Sequence, residues 1–242
     1  MTHNGKRIET LMAFSRSLDA HAGTSVGFVD AVVELAAVRA RKAVIDARRK
    51  QIFEVVRVKF ERGDLVAGEG RMLAQTEPTP VVTTRAVPAD VVKKRSLVLW
   101  ESARVAKLFV QVKPPKLLAS SMANEAVQAV GALPPVPDAR RAVHDVVALY
   151  EAVPPTTELR AREKSLVERL RLIGATYGWD GLPLEFSDKW TVGLDRLEFS
   201  SDRLREIDPR LWDALAVEKP TGGFQRVYVH KAEGIELDDD GE

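Results

Sequence analysis

The segment from Thr24 to Arg62 contains no proline, and it has a helix-capping residue type near its start and a helix-ending residue type directly after its end. Ser25 is a residue type that favours the start of a helix, and Gly63 is one that ends it. The whole segment is therefore predicted to be one long helix. A chain with such a helix belongs to a helix-rich fold class.

One face of this predicted helix is apolar. Val38, Ile45 and Ile52 repeat at a spacing of seven residues, which is typical of a stripe that packs against other elements. Arg41 and Arg48 stand where a coiled coil would need a second apolar position. The pattern therefore favours an amphipathic helix that packs within the protein over a strict coiled coil.

Beyond the helix, two stretches of the chain each predict the order strand, helix, helix, strand. In both, a tryptophan follows an aspartate after ten residues: Trp100 follows Asp90, and Trp212 follows Asp202. This match predicts a divergent internal duplication. We expect the two tryptophans to pack their short helices onto the strands. The predicted elements of the first stretch are 81–87, 89–94, 97–104 and 108–112; those of the second are 190–199, 202–206, a helix from 209 and a strand at 224–229.

Proline clusters divide the chain. Pro114-Pro115 opens a proline-rich linker and Pro134-Pro135-Val136-Pro137 closes it, with a small helix expected between them. We therefore predict an α+β fold with two divergent repeats, each a helical part plus a β-α-α-β unit, joined by this linker. The predicted parts are 1–113, the linker 114–137, a second part 138–232 with helices from Asp138 and from Thr156 or Thr157, and an acidic disordered tail 233–242.

Charge is distributed unevenly along the chain. Residues 1–113 carry 20 Lys and Arg against 12 Asp and Glu, whereas the whole chain has a net charge of only +1. A basic helix can neutralise phosphates and bind nucleic acid without reading its sequence. The predicted nucleic-acid-binding residues are Arg39, Arg41, Lys42, Arg48, Arg49, Lys50, Arg57 and Lys59, with Lys93, Lys94 and Arg95 as additional contacts.

A solvated helix face with no ligand is the alternative for this basic stretch. Phe53 and Phe60 lie within it, but their positions suit the apolar stripe better than base stacking. The acidic tail has two interpretations as well. It is either a solubilising segment or a competitor for the anionic ligand of the basic half.

Motifs of catalysis and cofactor binding are absent from the sequence. It contains no glycine-rich phosphate loop followed by Lys and no Gly-x-Ser-x-Gly elbow. His144-Asp145 resembles the doublet of HD-type phosphohydrolases, but the further ligands that such a site needs are missing. We therefore expect no enzyme activity, no cofactor and no metal. The alternative is an enzyme whose active site matches no recognised motif.

The chain contains no cysteine, which excludes disulfides, thiolate metal sites and cysteine nucleophiles. It also has no apolar run of the roughly 20 residues that a membrane span requires. Residues 1–5 lack the apolar core of a signal peptide. These features predict a cytoplasmic protein that does not enter a membrane.

The segment Lys107-Leu-Phe-Val-Gln-Val-Lys113, placed after a long helix, strands and a small helix, carries a family resemblance. Residues 25–118 resemble the phage host-nuclease inhibitor Gam and the coiled-coil siphovirus proteins with the same layout, with Leu108-Phe109-Val110, Lys113 and Lys116 as the matching residues. The resemblance implies a dimer that holds double-stranded DNA ends and shields them from exonuclease. Residues 138–242 have no counterpart in that layout.

Two functions follow as hypotheses. The first is a non-enzymatic, oligomeric accessory protein, phage-encoded if the resemblance holds, that binds nucleic acid, with double-stranded DNA favoured, through the basic helix. The second is a protein–protein adaptor, such as a phage assembly or host-takeover factor, that uses the duplicated units and docks through the acidic tail.

Overall fold

The computed structural model describes residues 9–68 and 70–231, so the predicted acidic tail lies outside the described residues. The helices are α1 (Leu11–Ala22), α2 (Phe28–Glu61), α3 (Ala89–Arg95), α4 (Leu97–Ser102), α5 (Lys116–Val130), α6 (Val143–Glu151), α7 (Thr157–Tyr177), α8 (Ser201–Ile207) and α9 (Pro209–Leu215). The strands are β1 (Val66–Gly68), β2 (Arg71–Gln75), β3 (Val82–Ala86), β4 (Arg104–Lys113), β5 (Leu184–Glu185), β6 (Thr191–Phe199), β7 (Val217–Thr221) and β8 (Val227–Lys231).

Helices and small separate sheets make this an α+β protein, as predicted. The strands form sheets in the orders β1-β2-β8, β3-β7 and β4-β6-β5. In the first and the last of these sheets all pairs of neighbouring strands are antiparallel.

The described chain divides into two compact units, each assembled from several segments. The first unit comprises residues 9–42, 83–129 and 157–221, and the second comprises 43–68, 70–82, 130–156 and 222–231. Helix α2 changes unit after Lys42. This division differs from the consecutive parts that the prolines suggested, because residues far apart in sequence supply each core. The segment 114–137 does not stand apart either, since α5 buries Met122 in the core of the first unit.

The first unit is built around the amino-terminal part of α2. Phe28, Val32 and Leu35 are fully buried there and pack with Leu166 and Leu170 of α7. Helix α1 and strands β5 and β6 add further apolar side chains to the same core. Ion pairs between α2 and α7 border it, among them the two-pronged contact of Arg162 with Glu34, at 2.6 and 2.7 Å.

The same unit contains the duplicated β-α-α-β arrangement, and the two copies pair reciprocally. The last strand of the first copy, β4, pairs with the first strand of the second copy, β6, and β3 pairs with β7. Ser96 and Asp208, at corresponding positions, cap α4 and α9 through Leu99 and Leu211. The two copies thus share strand order, capping geometry and the position of their tryptophan.

One strand of the second copy differs from its prediction. The closing strand is β7, directly after α9, and the strand predicted at 224–229 is in fact β8, which pairs with β2 in the other unit. Every residue of β7 is exposed and one of them is Pro220, so the strand has no alternating apolar pattern to reveal it.

Two helix starts also differ from prediction. Helix α2 begins at Phe28 because Gly27 adopts a left-handed conformation, with φ 68°, that a helix cannot include. Helix α6 begins at Val143 rather than near Asp138, whose carboxylate instead accepts a hydrogen bond from the Arg140 N–H in a local turn.

The second unit has a smaller core. Val56 of α2, Leu73 of β2 and Val146 of α6 are buried together, with the sheet β1-β2-β8 covering one side. Ile52 is fully buried as well, and Ile45 nearly so, as the seven-residue spacing predicts.

Candidate nucleic-acid interface

The predicted binding residues of α2 that lie in the first unit are mostly paired within the protein. Arg39 donates from Nε to Glu163 at 2.7 Å and from Nη1 to the Val110 carbonyl at 2.7 Å. Lys42 pairs with the other oxygen of Glu163. Two of the three predicted cations of this stretch therefore hold α2 to α7 and β4.

Glu163 is the acceptor that fixes both cations, and its ionisation is coupled to folding. Burial alone would raise the pKa of Glu163, but the hydrogen bonds from Lys42 and Arg39 and the positive charges of these two residues together outweigh burial and hold this pKa below its usual value. The carboxylate therefore stabilises the fold above the pKa that it has in the unfolded chain, and this contribution is lost as the pH falls through the lower, folded-state pKa.

We expect Glu163→Gln to lower the free energy of unfolding by about 1–3 kcal/mol at pH 7, because two half-buried cations lose their counter-charge. The difference from wild type should shrink as the pH falls towards the pKa of the carboxylate. Urea unfolding of both proteins from pH 7 down to acid measures it. A difference that does not change with pH would contradict the role of the charged carboxylate.

The cations of α2 in the second unit are also engaged. Arg48 donates to the Pro134 carbonyl, and Arg49 donates to the carbonyls of Val153 and Pro154 at 3.1 and 3.0 Å. The guanidinium of Arg49 additionally lies over the ring of Tyr150, 5.9 Å from its centre. Both arginines therefore hold α2 to the segment 130–156.

The last turns of α2 contain local ion pairs. Arg57 lies between Glu54 and Glu61, at 2.9 and 3.5 Å. Lys59 is only 6% exposed and pairs with Asp64 at 3.1 Å. Lys59 is thus a buried structural cation, and the charge of Arg57 is offset by its neighbours.

Arg41 and Lys50 remain as exposed cations of α2 for which the described part of the chain supplies no carboxylate within ion-pair distance. They are nine residues apart, and at about 100° per residue they lie on opposite sides of the helix. The eight residues therefore do not form one free basic row. Nucleic-acid binding by α2 stays a prediction.

A denser set of cations lies elsewhere in the first unit. Residues 93–116, here called the basic segment, contain seven Lys and Arg but only one acidic residue. Six of the seven cations are exposed and Arg104 is half-buried. Only Lys94 and Lys107 have a described carboxylate within 4.0 Å, namely Asp90 and Glu198. The seven cations are Lys93, Lys94, Arg95, Arg104, Lys107, Lys113 and Lys116.

Strand β4 gives the basic segment its length and rigidity. Ten residues of extended chain, from Arg104 to Lys113, span about 30 Å. Lys107 lies directly opposite Arg196 of β6, and the Arg196 guanidinium lies 4.0 Å from the centre of the Phe109 ring. The strand pair thus presents two cations side by side, with Glu198 between them as their shared counter-charge.

The basic segment also contains an aromatic side chain in contact with its cations. Lys93 and Arg104 lie over the Trp100 ring, at 4.7 and 4.8 Å from its centre. Trp100 is half-buried, whereas Trp212, its counterpart in the second copy, is 4% exposed. The indole N–H of Trp212 donates to the Ser201 hydroxyl at 2.8 Å; the position corresponding to Ser201 in the first copy is Ala89, which has no such group.

Sequence reasoning named Lys93, Lys94 and Arg95 only as additional contacts and did not name Arg104, Lys107, Lys113 and Lys116 as binding residues on charge grounds. The signal that identifies this set is the local excess of cations between residues 93 and 116. A charge count over each half of the chain conceals this excess, because acidic residues elsewhere in the same half lower the net charge.

Exposed apolar side chains accompany the basic segment. Leu108 is 69% exposed and Leu117 is 90% exposed, and Phe109 and Leu118 are each about two-fifths exposed. Large apolar side chains that are highly exposed and lie close together in sequence often mark an interaction surface.

The remaining features of the described residues give weaker grounds for a functional site. His144 and Asp145 contact each other at 3.3 Å but are both largely exposed. In residues 9–68 and 70–231, none of the helices combines the length and the apolar character that crossing a bilayer demands. Comparison of the chain with models of protein families, with curated proteins and with solved structures yields no match.

Proposed function

We propose that this protein binds nucleic acid, with double-stranded DNA favoured, through the basic segment 93–116 and without catalysing a reaction. The observation that supports the proposal is the set of exposed cations on α3, β4 and the start of α5 that have few carboxylate partners. Such cations are free to neutralise phosphates, and each phosphate neutralised releases a counterion from the nucleic acid. Binding of this kind is salt-sensitive and indifferent to sequence.

The arrangement on β4 suits a long polyanion better than a single small anion. The register of β4 with β6 places Arg104 and Lys113 on one face of the strand pair, about 30 Å apart, and Lys107 on the other face, so the cations do not converge on one point. The lysines can reach different phosphates while the strand pair keeps their spacing. Lys93, held over Trp100, has less side-chain freedom to lose when it binds.

The resemblance to Gam-like proteins supports the same surface. The residues that carry it, Leu108-Phe109-Val110 together with Lys113 and Lys116, belong to the basic segment or border it. Under this proposal the protein acts as a dimer at DNA ends and protects them from exonuclease. Competition between linear and circular forms of one plasmid distinguishes end binding from binding along the duplex.

The test of the proposal is fluorescence anisotropy with a labelled duplex at several salt concentrations. We expect reversal of Lys93, Lys94 and Arg95 to Glu to weaken binding by at least a hundredfold at low salt. It should also reduce the slope of log affinity against log salt by about three. Because Lys93 also lies over Trp100 and all three residues stand in the last turn of α3, circular dichroism first checks that the variant is folded.

A charge-matched control tests the location of the site. Reversal of Arg41, Lys50 and Arg57 on α2 changes the net charge by the same amount and also alters only exposed side chains. We expect this variant to lose much less affinity. If the α2 variant loses binding and the basic-segment variant retains it, the site lies on α2 and the proposed location is wrong.

A protein–protein adaptor is the second candidate, and the exposure of Leu108, Phe109, Leu117 and Leu118 favours it. These side chains would be costly to leave in water and would gain by burial against a partner. If the wild-type protein binds no duplex even at low salt, the nucleic-acid proposal fails. The adaptor then becomes the leading function, with this surface as its docking site.

A further inference from the structure

The first unit contains a pocket of about 450 Å³, within the range of sites that bind small molecules. Its apolar wall combines side chains from α1, α2, α7 and the loop that follows α7. Arg104 of β4 and Asp180 of that loop are the charged residues among the described lining. Members of the apolar wall include Phe14, Leu18, Phe28, Ile173, Trp179 and Leu184.

Edge-to-face packing fixes the aromatic part of the wall. The Phe14 and Phe28 rings are 5.3 Å apart, and the Phe28 and Trp179 rings are 5.9 Å apart, both in T-shaped geometry. The Trp179 indole N–H donates to the Leu182 carbonyl at 2.8 Å, so the loop holds this ring in place. The wall is therefore preformed, and a ligand would not have to order it.

Arg104 supplies a polar group at this pocket with unused hydrogen-bonding capacity. Its Nη2 donates to the Leu197 carbonyl at 3.0 Å, and its guanidinium lies over Trp100. Its Nε is shielded from solvent even in the empty pocket, so this donor does not face a ligand. Its Nη1 has no acceptor among the described residues, and a bound anion could accept from this group.

We propose that this pocket binds a small amphipathic carboxylate, with its apolar body against the aromatic wall and its carboxylate on Arg104. A guanidinium matches a carboxylate in shape and charge. Asp180 repels a doubly charged phosphate more strongly than a singly charged carboxylate, so of these two anions the lining favours the carboxylate. Asp180 is exposed and its carboxylate already accepts from the Leu182 N–H at 3.0 Å, which leaves Arg104 as the group that orients the ligand.

The test uses 2-naphthoate as the probe, without nucleic acid, in isothermal titration calorimetry. Its matched controls are the neutral alcohol 2-naphthylmethanol and the amine 2-naphthylmethylamine. We expect the wild-type protein to bind the carboxylate at least tenfold more tightly than either control. Arg104→Gln should abolish this preference while leaving weak binding of all three compounds through the apolar wall.

A second variant blocks the pocket without touching Arg104. Leu18 is half-buried in the wall, and Leu18→Trp would fill the space, so none of the three compounds should bind. This variant keeps the proposal testable if Arg104→Gln does not fold. Equal affinity for carboxylate and alcohol, or unchanged naphthoate binding in Leu18→Trp, would overturn the proposal. Because no nucleic acid is present, either result leaves the proposed function untouched.

Discussion

Trp212→Ala is expected to lower the free energy of unfolding by about 3–5 kcal/mol, because it removes a buried aromatic side chain and leaves a cavity. Trp212 is 4% exposed and packs in a core cluster with Val92, Ala103 and Leu204. Its indole N–H also bonds to Ser201, whose hydroxyl accepts from the Val87 N–H at 2.9 Å as well. The substitution therefore removes packing and one partner of a shared hydroxyl.

The duplicated position provides the matched control for this prediction. Trp100→Ala should cost only about 1–2 kcal/mol, since Trp100 is half-buried and its indole has no equivalent of the Ser201 contact. Urea unfolding followed by circular dichroism compares the two variants in one buffer. Equal losses would show that the two copies bury their tryptophans equally well in solution, contrary to the structure.

The repeat could be predicted from sequence because its signal is local. An aspartate, a tryptophan ten residues later and a capping residue between them recur in both copies, and these set helix starts and core positions. The reciprocal pairing of β3 with β7 and of β4 with β6 could not be predicted in the same way. Strand pairing depends on contacts between residues about a hundred positions apart in the chain. In addition, β7 lacks the alternation of apolar residues by which a strand is recognised in a sequence.

The α2 cations show why charge counts alone mislead. The partners of Arg39, Arg48 and Arg49 lie 71 to 124 residues away along the chain, and several of them are backbone carbonyls. Carbonyl acceptors have no signature in the sequence, because every residue has one. The apolar stripe of α2 was predictable from its periodicity, but the groups that face its flanks were not.

The same argument explains why only the structure shows which cations of the basic segment are available for binding. Lys113 and Lys116 are separated in sequence from Lys93 and Lys94 by apolar residues of α4 and β4. Their availability depends on the absence of nearby carboxylates, which only the positions of β6 and its neighbours can show. Charge density in the sequence indicates a candidate binding surface. Ion pairs within the fold then determine how many of its cations are available to bind a ligand.

Phe28→Ala is expected to be the most disruptive change at the pocket, with a loss of about 3–5 kcal/mol in the free energy of unfolding. Phe28 is fully buried, contacts both Phe14 and Trp179, and forms part of the pocket wall. Phe186 is the matched control. It is 1% exposed and contacts Phe14 at 5.5 Å, but it does not line the pocket.

Both variants should lose similar stability, but only one should change what the pocket accepts. Removal of the Phe28 ring adds space directly to the pocket, so the larger probe 2-anthroate should gain affinity relative to 2-naphthoate by at least tenfold. In Phe186→Ala the new space lies behind the wall, and the ratio of the two affinities should stay at its wild-type value. Calorimetry with both probes on both variants measures the ratio under conditions where circular dichroism shows the proteins folded. Only a rigid wall confines the change in ligand size preference to the variant whose altered residue lines the pocket. An affinity ratio that shifts equally in both variants would therefore show that the pocket wall rearranges as a whole and would contradict this prediction.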